Sequence, residues 1–170
     1  MTHPRRLIRA AIEDSGITTL RCECGANALH MIEEFFETLD RDPDSLRERR
    51  DWMEGHAMSG SFHHRPAPAV AEILMAALPF YPTGAARTVI LEVLLDLSDG
   101  DIDDLVEQCQ QVIRPGVWLF LEEIASGLSP ASASLAFDIL LAVEEDDWVA
   151  FAREQLSDML PAVQLDPGYG

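Results

Sequence analysis

Apolar residues in this chain fall at three- and four-residue steps and give way to polar clusters at regular intervals, the pattern of successive amphipathic helices. Arg5 to Asp14 reads as a short helix ended by Ser15-Gly16. Ala28, Met31, Ile32, Phe35, Phe36 and Leu39 mark one face of a stronger helix over 25–40, with Glu33, Glu34 and Glu37 on the other. Asp42-Pro43 stops it, and Asp44 or Ser45 caps a third, polar helix over 45–53. Residues 55–65, rich in Gly, Ser and His, read as the longest loop. Beyond it the pattern predicts helices over 69–78, 84–97, 101–113, 116–126, 131–143 and 147–160, punctuated by prolines and glycines that cannot continue a helix. Strands are expected to be negligible.

A second, longer period lies over the first. Pro68, Val70, Ile73, Leu74 and Ala77 recur forty-seven residues on as Pro115, Val117, Phe120, Leu121 and Ile124. The run Val89 to Leu97 recurs forty-six residues on as Leu135 to Val143, with Glu92 answered by Asp138. A helical period of this size predicts an all-α right-handed superhelix, because one repeat cannot bury its apolar face alone and stacks on its neighbours. The expected organisation is one continuous domain, with residues 1–65 as an N-terminal helical cap or divergent repeat and 66–170 as the repeats proper, about three units of 46 to 47 residues in all.

Charge changes the picture most. The chain has 12 Arg and no Lys against 30 acids, a formal net charge of -18. Residues 1–85 carry net -4 and residues 86–170 net -14, so the acidity belongs to the repeats. Such a field repels nucleic acid and anionic membrane and speeds encounter with a basic protein. No stretch reaches the eighteen or more apolar residues of a membrane span, and Cys22, Cys24 and Cys109 form an odd set whose Cys-x-Cys pair is too close for an easy disulfide. The expectation is a cytoplasmic protein with reduced thiols.

His63-His64-Arg65-Pro66-Ala67-Pro68-Ala69-Val70, followed by Thr83-Gly84-Ala85-Ala86-Arg87-Thr88-Val89-Ile90-Leu91, resembles the bacterial HEAT-repeat or armadillo-like proteins over roughly Pro66 to Pro161. Many HEAT repeats place Asp-Pro in the turn and Arg soon after, and Arg87 stands where that Arg would lie. The next repeat departs from the pattern, with Ser129-Pro130 and no following Arg. The resemblance implies a scaffold or binding protein without catalysis.

Catalytic and cofactor motifs are absent from the sequence: no phosphate-cradling glycine loop, no Gly-x-Ser-x-Gly and no His-Glu-x-x-His. No catalytic residue and no cofactor are therefore expected. Two sets of metal ligands are weighed and set aside. Cys22, Cys24 and His30 offer soft ligands, but structural zinc usually takes two wider-spaced pairs, and only Cys109 remains as a fourth. His56, His63 and His64 with Glu54 read as a polar loop, and Glu33 with Glu37 as a solvated helix face.

The acids carry the functional expectation. Asp99-Gly100-Asp101 and Glu145-Asp146-Asp147 lie at equivalent places of the 46-residue offset, with Asp103, Asp104, Glu107 and Glu144 enlarging the edge and Glu92 and Asp138 forming a second equivalent pair. Together they are expected to bind a basic protein partner, one version being an immunity protein that neutralises a cationic toxin. The alternatives are an adaptor or scaffold binding through apolar contacts and, behind it, a metal-binding protein or enzyme. Trp118 and Trp148, near the same edge, stand either in the packing between repeats or as partner anchors.

Overall fold

A computed structural model describes residues 3–48, 52–82, 84–100, 104–143 and 146–160. Its helices are α1 (His3–Asp14), α2 (Leu29–Arg41), α3 (Pro43–Glu48), α4 (Ala67–Ala77), α5 (Ala85–Ser98), α6 (Asp104–Ile113), α7 (Val117–Ser126), α8 (Pro130–Ala142) and α9 (Asp146–Gln155). The all-α expectation holds at this level.

Helix ends follow local chemistry. α2 begins at Leu29 rather than near 25, because the Asn27 side chain turns the chain first, its Oδ1 accepting from Leu29 N–H at 2.9 Å and its amide donating to the Thr18 carbonyl at 2.6 Å. α3 is described to Glu48 and not to 53; Trp52 turns inward instead and packs on Phe35 with ring centroids 4.4 Å apart. The expected loop before α4 contains a two-residue antiparallel ribbon, β1 (Met58–Ser59) with β2 (Phe62–His63), whose Gly60 has φ +59° and donates to the Glu54 carboxylate. Gly127, at φ +59°, closes α7, and Ser129 opens α8 by accepting from Ser132 N–H at 3.2 Å. α9 ends at Gln155, short of 160.

One apolar cluster runs through the molecule. α4 is buried around most of its circumference, since Ala67, Ala69, Val70, Ala71, Ile73, Leu74 and Ala77 are all inside. It packs against α1 on one side and α6 on another, while α5 packs against α3 and α8, and α8 against α7 and α9. The long sequence period reappears as equal burial. Ile90, Leu91, Leu94 and Leu97 of α5 are fully buried, and so, forty-six residues on, are Ala136, Phe137, Leu140 and Val143.

Arg87 stands where many HEAT repeats place an arginine after the turn. Its guanidinium is buried and ion-paired with the buried Glu123 of α7, and it donates to the carbonyls of Leu78 at 2.9 Å and Tyr81 at 3.1 Å, which close the turn after α4. A single side chain thus ties together α5, α7 and the α4–α5 turn.

Candidate functional site

Cys22 and Cys24 sit on a tight turn that precedes α2. Cys22 N–H donates to the Ala26 carbonyl at 3.2 Å and Gly25 N–H to the Cys22 carbonyl at 2.9 Å, with Gly25 at φ +84°. This folds both thiols to one side, with sulfurs 2.6 Å apart. His30, in the first turn of α2, bonds through Nδ1 to the Asn27 carbonyl at 2.6 Å. His56 comes from the loop ahead of the ribbon, and its ring stands edge-on to His30 with centroids 4.9 Å apart. One ligand atom from each of Cys22, Cys24, His30 and His56 lies within 4.8 Å of every other.

This grouping draws on both of the ligand sets weighed in the sequence. The fourth group beside Cys22, Cys24 and His30 is His56 and not Cys109, which is buried in α6. The loop set of His56, His63, His64 and Glu54 is not assembled: His63 bonds the Leu97 carbonyl at 3.0 Å, His64 bonds Ser59 at 2.9 Å, and Glu54 is used on Gly60. Burial pushes the His56 imidazole below its ordinary pKa, with the neighbouring His30 charge adding to the effect and Glu34 opposing it. Desolvation, followed by the bond to Cys24, raises the Cys22 thiol, whereas the bond from Cys22 lowers Cys24.

The acidic edge is reached only in part. Asp99, Asp104, Glu107 and Asp147 are exposed, in keeping with a solvent-facing charge. Asp101, Asp103, Glu144, Glu145 and the side chain of Asp146 lie outside the described residues. Glu92 is gripped by Arg47 of α3, whose guanidinium donates at 2.9 and 3.0 Å, and this bond raises the arginine's pKa. That carboxylate already has a cation within the molecule. Asp138 is half-buried on α8 with an interaction of its own.

Exposed apolar side chains supply what the acids alone do not. Among the described residues, six of the eight large apolar side chains left exposed lie between Trp118 and Met159. Trp118 is 55% exposed and Leu128 69%, both on a shallow groove of about 390 Å³ floored by Pro79, Pro82 and Leu119 with Glu122 at its edge. Trp148 and Phe151 of α9, 40% and 43% exposed, pack edge to face with centroids 6.0 Å apart. Neither tryptophan is a core residue.

Comparison with protein-family models, with curated proteins and with solved structures found no match to this chain. A second groove of about 550 Å³ lies between α1 and α2, floored by Ile8, Ile12, Ile32 and Phe36. On its charged rim Glu37 is held by Arg41 at 3.0 Å and Asp40 by the Tyr81 hydroxyl at 2.8 Å. The sequence left Trp118 and Trp148 either as packing between repeats or as anchors near the acidic edge; Leu128 and Phe151 carried no such signal, because helical periodicity does not separate a docking face from a core face.

Proposed function

We propose that the protein is a non-catalytic interaction module that holds a basic protein partner on its α7–α9 side. The observation that carries this reading is the coincidence of exposed Trp118, Leu128, Trp148 and Phe151 with the half of the chain whose net charge is -14. Exposed tryptophans supply contact area at the centre of an interface, and a surrounding negative field attracts and orients a cationic partner. The scaffold in this reading is a HEAT-like or armadillo-like right-handed superhelix, supported by the 46-residue recurrence and by the direct packing of α5 on α8. An immunity protein that covers a cationic toxin or nuclease is its most concrete form.

The test is affinity capture from extracts of the cells that make the protein, run side by side with a Trp118→Ala, Leu128→Ala double variant and at two salt concentrations. Both side chains are exposed, so the variant is expected to fold as the unaltered chain does. A partner with a basic isoelectric point should be retained at low salt, weakened at high salt as screening shortens the reach of the acids, and lost from the variant. Retention that is indifferent to salt but lost from the variant would point to an adaptor working through apolar contacts, and retention indifferent to both would overturn the proposal.

A further inference from the structure

The thiol and imidazole cluster lies in the N-terminal part of the chain, shares no residue with the α7–α9 surface, and nothing in the interaction reading uses it. We propose that Cys22, Cys24, His30 and His56 hold a single zinc ion that staples the turn before α2 to the loop before the β-ribbon. Four features of the chain carry this.

The donor set comes first: two sulfurs and two imidazole nitrogens, without a carboxylate among them, form the closed four-ligand combination that structural zinc takes in tetrahedral geometry. Hard cations such as magnesium and calcium prefer oxygen and find little here. The second feature is orientation. Nδ1 of His30 is committed to the Asn27 carbonyl, so it carries the proton and leaves Nε2 with the lone pair, the same outer bond that fixes metal-ligating histidines elsewhere. The third is an orphan: Nδ1 of His56 is buried without a hydrogen-bond partner, a costly arrangement that a metal ion in the cluster relieves.

The fourth is the local backbone. Gly25 in the left-handed region, with the Cys22–Ala26 and Gly25–Cys22 backbone bonds, holds two cysteines on one side of a turn, while Asn27 fixes that turn both to Thr18 and to the start of α2. In a tetrahedral site with zinc–ligand distances of about 2.0 to 2.3 Å, the ligand atoms stand roughly 3.3 to 3.8 Å apart. The existing separations, up to 4.8 Å overall and 2.6 Å between the sulfurs, reach that arrangement through small side-chain rotations. Binding releases the two thiol protons to solvent, and the two thiolates balance the charge of the ion. With all four positions filled by protein there is none open for water or substrate, so the role is structural. Its effect is to close a loop that runs from Cys24 through α2 and α3 to His56.

The test uses the full chain, purified without a tag from zinc-supplemented medium and dialysed against metal-free buffer. Elemental analysis should find one zinc per chain, His56→Ala and Cys22→Ser should lose it, and His64→Ala, altered at the neighbouring histidine outside the cluster, should keep it. Substoichiometric zinc in the unaltered protein, a different metal bound in its place, or full zinc in His56→Ala would overturn the proposal. A second measurement needs no variant: cobalt exchanged into the unaltered protein should give thiolate-to-cobalt charge-transfer absorption and intense tetrahedral bands. Cobalt held by scattered carboxylates lacks the charge-transfer absorption, and that spectrum would contradict the cluster as the site. Removal of the ion by a chelator should make residues 20–64 the first region cut by protease, since local opening follows the loss of a local cross-link. Zinc loss that leaves cleavage there unchanged would overturn the stapling role.

Discussion

Arg87→Ala should destabilise the protein by about 3 to 5 kcal/mol, the loss seen when one partner of a buried ion pair is removed and the other stays behind. Arg87 and Glu123 are both buried, 7% and 5% exposed, so the abandoned Glu123 carboxylate would have little water to recover. The arginine also satisfies the Leu78 and Tyr81 carbonyls, which the substitution leaves without that donor. Urea unfolding of the two proteins measures the difference directly. A change below about 1 kcal/mol, the range of ordinary surface substitutions, would mean that the pair does not organise the junction of α5 with α7. Replacing both residues together by apolar ones of similar volume should cost less than Arg87→Ala alone, because no buried charge is then stranded.

Leu94→Ala and Leu140→Ala should each cost about 2 to 5 kcal/mol, the span observed for large-to-small changes in packed cores. The two leucines are fully buried at equivalent positions of α5 and α8, helices that pack on one another. Leu141 provides the contrast. It is next in sequence but 45% exposed, and Leu141→Ala should stay within about 0.5 kcal/mol. Equal losses at Leu140 and Leu141 would refute the burial register on which the repeat reading stands.

The helices from α4 onward were legible because prolines, glycines and apolar steps speak together there. Pro68 and Pro115 mark the starts of equivalent segments, and the buried positions of α5 and α8 follow from a single aligned run. What escaped was set by contacts distant in sequence. The early start expected for α2 failed because the Asn27 side chain competes for the backbone that a helix would otherwise use. Glu92 looked like one of a pair with Asp138, yet Arg47 claims it from a helix whose place the repeat pattern does not encode. Cys22, Cys24 and His30 were visible as ligands, whereas His56 joins them only once α2 and α3 have folded back, and spacing rules that ask for a nearby fourth ligand pass over such a site. The charge of the repeat half was legible from composition alone; that Leu128 and Phe151 stay exposed was not.

The interaction surface is tested most directly by hydrogen exchange on the complex with the captured partner. Binding on the α7–α9 side predicts slowed exchange within residues 117–126 and 146–155 and little change over 29–41. Protection confined to α1 and α2, where the second groove lies, with α7 and α9 exchanging as in the free protein, would contradict it.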